Sequence, residues 1–365
     1  MTPSAYEESV PAPGVTGPCT VLVLGARGHL GYACVQAFAQ AGWQVLAHVR
    51  TGSALAQPPE PPAPLPGSAQ GGMGSGISGA AQVRWIDVPL QDRRAWQATL
   101  AAHGPVHVVV NALAPAFNTG AWRTALLELA QTSLVVARDA QALLLQPLPI
   151  HKYGRELPAV CAESDGLPPP EQVSTTIGRL RAELEWAMWR AAEAGQPVCM
   201  LRVGTVYGFP GAGWGSTTIA GSLPQGRMTW LGPYHVATPW MYVHDVAQTM
   251  ERIASQRHRL GVWTPLHMAG QQRTGHDWWL ALSALAQQRG WLQSGQMLHQ
   301  GRLKWPVWRA LGWLSPRLRA LCELEYIWRT PHRLDNQQLR ALIGVEPCTD
   351  WQSSLDHTVQ QLVQR

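Results

Sequence analysis

Lysine is almost absent from this chain: among 365 residues only Lys152 and Lys304 occur. Positive charge rests on scattered arginines, and the formal net charge is +5. No long block of like charge exists to form a nucleic-acid footprint, whereas a modest positive balance suits an anionic small molecule. No two of the six cysteines, Cys19, Cys34, Cys161, Cys199, Cys322 and Cys348, stand at C-x-x-C spacing. That argues against a zinc site and for reduced, mostly buried thiols. No apolar run approaches the roughly 20 residues needed to cross a bilayer. The first 18 residues hold Pro, Gly and acids without an apolar stretch, so they do not read as a signal peptide. The expected location is cytoplasmic.

What is present is an apolar segment, Val21-Leu22-Val23-Leu24, running into Gly25-Ala26-Arg27-Gly28-His29-Leu30-Gly31. The glycines are spaced G-x-x-G-x-x-G, and an amphipathic helix follows with Val35, Phe38 and Ala39 on one side. Strand, glycine turn and helix in this order form the phosphate-cradling unit of a dinucleotide-binding fold. Gly25 lets the chain leave the strand tightly, Gly28 lets backbone approach a pyrophosphate, and Gly31 lets the helix pack close to the sheet.

Along the chain, strands are expected at 20–24, 44–49, 83–86, 106–110, 142–145 and 198–203, with helices at 28–41, 93–102, 122–140 and 178–194. Their alternation predicts an α/β fold with a doubly wound parallel sheet of Rossmann type. Residues 1–18 read as a disordered arm. Residues 52–82, rich in Pro, Gly, Ser and Ala, read as a disordered insertion within a cofactor-binding domain spanning 19–210. Residues 211–365 read as a smaller, mixed substrate or lid lobe, part of which returns to the sheet. Eighteen tryptophans occur, most of them after residue 210. Core packing is the favoured reading, with an aromatic substrate pocket as the alternative.

Cofactor chemistry continues at the strand ends. The second strand ends at Val49-Arg50, where a cation suits a ribose 2′-phosphate and an acid would suit a 2′-hydroxyl. With Arg27 in the glycine turn, this favours NADP, with NAD as the alternative. Asp87-Val88 ends the third strand, at the place for an adenine contact. Asn111-Ala112-Leu113 ends the fourth, where small residues let the nicotinamide ribose pass. The cofactor set is therefore Gly25, Arg27, Gly28, His29, Leu30, Gly31, Arg50, Asp87, Val88, Asn111, Ala112 and Leu113.

With Leu201-Arg-Val-Gly-Thr-Val-Tyr-Gly208 and Trp240-Met-Tyr-Val-His-Asp-Val-Ala247, these segments resemble the short-chain dehydrogenase/reductase superfamily in its extended, NAD-dependent epimerase/dehydratase form. The likeness covers about residues 19–350, less the insertion. It implies a small-molecule substrate and, through the two long helices at 122–140 and 178–194, a homodimer. It also implies a Tyr-x-x-x-Lys pair, in which Lys lowers the Tyr pKa, and a Ser or Thr near the fifth strand. This chain has none of the three. Ile177 and Arg181 fall in the Tyr and Lys positions, and Leu148-Pro149 in the hydroxyl position. Arginine is a poor proton relay but can hold ribose hydroxyls or a carboxylate.

Two readings follow. One is an atypical NADP-dependent oxidoreductase or epimerase-like enzyme, with Tyr153 as candidate proton donor, His151 as the alternative and Arg181 in the site. The other is a non-catalytic NADP-binding sensor, regulator or assembly factor. Lesser candidates are Glu163, Asp165 and Glu171, expected in a solvated loop, and Asp245, expected to cap the next helix. Segment 301–321 combines Lys304, Arg309, Arg317 and Arg319 with Trp305, Trp308 and Trp313. That is the composition of a membrane-surface helix. Pro306, Gly312 and Pro316 interrupt it, so a packed lid is expected and membrane contact is not.

Overall fold

The computed structural model describes residues 18–49, 82–114, 122–208 and 218–363. Nearly all of the N-terminal arm and of the insertion, together with Arg50, lie outside these described residues.

Within them the central element is a seven-stranded parallel sheet of order β11-β7-β5-β4-β1-β2-β3. Its strands are β1 (Thr20–Leu24), β2 (Gln44–Val49), β3 (Val83–Asp87), β4 (Val108–Asn111), β5 (Leu143–Pro149), β7 (Val198–Val203) and β11 (Trp263–His267). Strand order reverses between β1 and β4, which opens a crevice at their carboxyl ends. Both faces of the sheet are covered. Val21 and Val23 join one buried cluster and Leu22 and Leu24 the other, as the two-residue period of a strand requires.

Helices α1 (His29–Gln40), α2 (Arg93–His103), α3 (Trp122–Asp139) and α4 (Thr176–Glu193) follow β1, β3, β4 and β5. Helix α5 (Val243–Ser255) lies against α1, where Cys34 Sγ meets Met250 Sδ at 3.9 Å. The sequence reading ended the fifth strand at Leu145, but β5 continues to Pro149, with Gln146 opposite Met200 and Pro149 opposite Val203. Its register with β4 stops at Val110–Leu145, so Pro147 and Pro149 remove no ladder bond on that side.

The seventh strand, β11, is the part of the second half that returns to the sheet. Short strands β6 (Val160–Cys161), β8 (Thr205–Tyr207), β9 (Arg227–Trp230), β10 (Thr238–Tyr242), β12 (Gln271–Arg273), β13 (His299–Arg302) and β14 (Arg333–Leu334) form three small sheets beside it. Tryptophan serves the interior here. Trp230, Trp240 and Trp278 are at most 2% exposed, and the Trp240 and Trp278 rings lie edge to face at 4.7 Å. Among the described tryptophans of this half Trp313 is the exception, at 87% exposed.

Candidate active site at the carboxyl edge of the sheet

Gly25 closes the first strand with φ of +78°, and a Cβ there would stand 2.8 Å from the Ala112 carbonyl oxygen. Only glycine tolerates both conditions. A Cβ on Gly31 would overlap the Gly25 carbonyl, so α1 sits on the turn because residue 31 has no side chain. The turn is tied down from both sides. Ala26 N–H donates to the His48 carbonyl and Ala112 N–H to the Leu24 carbonyl, both at 3.0 Å. Gly28, the residue before α1, has no side chain to cap the helix. The amino end of α1 thus meets the crevice as backbone, with the positive end of its dipole outward.

Arg27, His29 and Leu30 are half-buried around this turn, and Asp87 is exposed at the end of β3. Val88 is buried, and its carbonyl accepts from His48 Nε2 at 2.9 Å. Asn111 lies on the crevice side, but its side chain is turned inward. Its Nδ2 donates to Gln146 Oε1 at 2.7 Å and to Ser133 Oγ at 3.1 Å, and its Oδ1 accepts from Leu113 N–H at 3.2 Å. It shapes the Ala112-Leu113 turn. The expected cofactor residues thus sit at the ends of β1, β3 and β4 and in the turn after β1, while Arg50 lies outside the described residues.

The second group comes from the end of β5 and the start of α4. Residues Ile150–Glu156 form a tight 3₁₀ run, and Gly154, at φ 57°, reverses the chain within it. Gly178, in the first turn of α4, packs where a Cβ would fall 2.7 Å from the His151 carbonyl oxygen. This contact brings Arg181 beside His151. Both side chains are half-buried. Burial and the Arg181 guanidinium push the His151 imidazole down to about 3, so it is neutral at physiological pH. Burial lowers Arg181 to about 10, which leaves it charged. His151 Nδ1 is buried without a hydrogen-bond partner among the described residues.

Tyr153 is placed differently from the sequence expectation of a proton donor. Its hydroxyl donates to Asp165 Oδ2 at 2.8 Å. Burial first, then the neighbouring Cys161 thiol, raises the phenol well above its ordinary value. Asp165 Oδ2 also accepts from Ala162 N–H at 2.8 Å, so the pair braces a loop. Lys152 is fully buried and donates to the Asp165 and Gly166 carbonyls at 3.1 and 3.0 Å. Burial, followed by the Arg202 charge, pushes its amine down to about 8.

Two further expectations are corrected. Glu163 is 2% exposed rather than solvated, and its carboxylate accepts from the His267, Gln338 and Leu339 N–H groups. Asp245 does not cap its own helix. It accepts from Thr349 N–H at 2.8 Å and Thr349 Oγ1 at 2.5 Å, anchoring the C-terminal segment. Sequence reasoning also passed over Glu323, whose carboxylate accepts from Thr176 N–H at 2.7 Å and caps α4 from 147 residues away. No local pattern announces a cap supplied at that distance.

The glycine turn and the strand order are those of a Rossmann-type α/β fold. The chain belongs to the NAD dependent epimerase/dehydratase family, whose model matches residues 21–262. No curated protein sequence matches it. Among solved structures, UDP-glucuronic acid 4-epimerase from Bacillus cereus, in complex with NAD, is similar at a TM-score of 0.66. Identity is 14%, over 94% of this chain and 99% of that one. UDP-glucose-4-epimerase from Stenotrophomonas maltophila, with NAD and formylated UDP-arabinopyranose, gives 0.63 at 15% identity, covering 94% and 96%. The dTDP-glucose 4,6-dehydratase of Bacillus anthracis, in complex with NAD, gives 0.62 at 12%, also covering 94% and 96%. At such identities the likeness is one of fold.

Proposed function

We propose that this chain binds a nicotinamide dinucleotide, NADP in preference to NAD, and acts as an atypical oxidoreductase on a small carbonyl or sugar-type substrate. The observation that carries the reading is the crevice at Gly25, Gly28 and Gly31. A side chain at Gly25 or Gly31 would collide with backbone there, and that close-packed turn opens onto the amino end of α1. The three solved structures named above contain NAD. Arg27 in the turn, and Arg50 after β2 in the sequence, favour a 2′-phosphate. When bound, the cofactor would supply or accept a hydride.

The chain's own contribution would come from His151 and Arg181. Tyr153 has its hydroxyl on Asp165, so we assign substrate polarisation to His151 instead. A neutral imidazole can donate a hydrogen bond to a substrate oxygen, and the adjacent guanidinium stabilises negative charge as it develops there. Arg181 thus takes an electrostatic role, suited to a group that does not release its proton readily.

A second reading, a non-catalytic cofactor-binding protein, is favoured by Leu148-Pro149, Ile177 and Arg181 at the three positions where the family pattern calls for hydroxyl, phenol and amine. One experiment separates the two. NADPH and NADH binding are measured by calorimetry, then NADPH oxidation is followed with aldehydes, ketones, quinones and sugar nucleotides. Turnover that His151→Gln lowers by about 10²-fold or more supports the enzyme reading. Tight binding with no turnover supports the second, and no binding of either cofactor overturns both.

A further inference from the structure

Residues Trp305–Leu311 and Pro316–Glu323 are two short helices joined by Gly312, Trp313, Leu314 and Ser315. They form a hairpin with a fixed root and an exposed tip. At the root, Trp305 is 4% exposed, its indole N–H donates to the Leu231 carbonyl at 2.7 Å, and its ring stacks on Trp328. Arg309 pairs with Glu325, and Glu323 caps α4. The tip is ordered by backbone bonds, Trp313 N–H to the Ala310 carbonyl and Leu314 N–H to the Leu311 carbonyl. Yet Trp313 is 87% and Leu314 85% exposed, with Val307 at 52% and Leu311 at 44% beside them.

Between Asp277 and Glu323 the sequence carries one sign of charge. From residue 278 to 322, 45 positions contain no Asp or Glu but six basic residues: Arg289, Arg302, Lys304, Arg309, Arg317 and Arg319. Of these, Arg302, Lys304, Arg309 and Arg319 are exposed, and Arg309 is paired with Glu325. Continuous helix is not needed for a surface anchor, so the interruptions at Pro306, Gly312 and Pro316 do not exclude one. They create the turn that pushes Trp313 and Leu314 outward.

We propose that this hairpin docks the protein on an anionic lipid bilayer, with Trp313 and Leu314 in the interface and the surrounding cations over the headgroups. Charge complementarity favours this occupant, and so does shape. A protruding indole-leucine pair suits a soft interface, where tryptophan is enriched, and a cationic collar suits anionic headgroups. No helix among the described residues is long and apolar enough to cross a membrane, so the contact is peripheral. Through Glu323 the hairpin is linked to the start of α4, the helix that carries Arg181.

The full chain is tested for co-sedimentation with vesicles of phosphatidylglycerol and phosphatidylcholine in equal parts, and with phosphatidylcholine alone. The expected result is binding to the anionic vesicles that weakens as salt is raised. Trp313→Ser with Leu314→Ser should weaken that binding by about ten-fold or more. Arg302→Gln with Lys304→Gln should weaken it on anionic vesicles while thermal stability stays unchanged. Failure of the parent to bind anionic vesicles overturns the proposal, as does equal binding by the tip variant. Size-exclusion chromatography showing a dimer that the tip variant dissolves also overturns it, because the tip's partner is then a second copy.

Discussion

Arg202 and Glu185 form an ion pair 2.8 Å long with side chains only 1% and 0% exposed. It joins the end of β7 to the middle of α4 beneath the crevice. Every other ion pair among the described residues has at least one partner substantially in water. Removing one partner strands a buried charge, whereas removing both does not. Glu185→Leu should therefore destabilise by about 3–5 kcal/mol in urea denaturation. Adding Arg202→Met should recover a large part of that loss. Arg93→Gln, which breaks an exposed pair with Asp139, should leave the midpoint nearly unmoved.

Stability should fall on acidification, and His267 is one cause. Arg202 Nη1 approaches His267 Nε2 at 3.1 Å and can only donate, so that nitrogen accepts and Nδ1 donates to the Cys161 carbonyl at 3.2 Å. Burial, then Arg202 and Lys152, hold the folded imidazole near 3 against an ordinary 6.5. The unfolded chain takes up this proton first. The stabilisation is complete above about 6.5 and is lost as pH falls toward 3, at up to about 1.4 kcal/mol per pH unit for one such group. The urea midpoint should drop between about pH 7 and pH 5. In His267→Asn the drop should be shallower, on a lower baseline. A midpoint independent of pH would count against the buried neutral form.

Cofactor choice is read by calorimetry. Losing a charge-assisted phosphate contact costs roughly 1.5–3 kcal/mol. Arg50→Ala or Arg27→Ala should weaken NADPH about ten-fold or more and leave NADH nearly unchanged. Equal losses for both cofactors, or tighter NADH binding in the parent, would reverse the preference proposed for NADP.

Tyr153→Phe keeps the ring and removes the hydroxyl that Asp165 accepts. A bond to a charged group is worth about 1.5–3 kcal/mol, so the variant should lose stability of that order while kcat, if turnover is found, holds. A fall in kcat of about 10²–10⁴ would instead return the proton donor to Tyr153.

The cofactor half of the fold was legible because each element carried its own signal. The apolar Val21–Leu24 run, the glycine spacing after it and the 3.6-residue pattern of α1 are local features, and the structure places them within a residue or two of expectation. The site was harder to read where contacts span long separations. Glu163 reads as loop residue from its Pro-rich surroundings, yet it is buried because backbone N–H groups at 267, 338 and 339 converge on it. Asp245 followed the pattern of a helix start, but Thr349 competes for its carboxylate. In segment 301–321 the helix breakers were visible. Which side chains they leave inside and which outside depends on a docking surface at Leu231 and Trp328 that the segment does not encode.

The poverty in lysine has a chemical consequence. Lys152 is 0% exposed with its amine held by two carbonyls, whereas Lys304 stands in water at the root of the hairpin. Apart from the chain terminus, an amine-reactive dye under mild conditions therefore meets a single address on the described surface. That address lies on the hairpin whose tip carries Trp313 and Leu314, so one unengineered labelling reaction would place a reporter on the element proposed to approach a lipid surface.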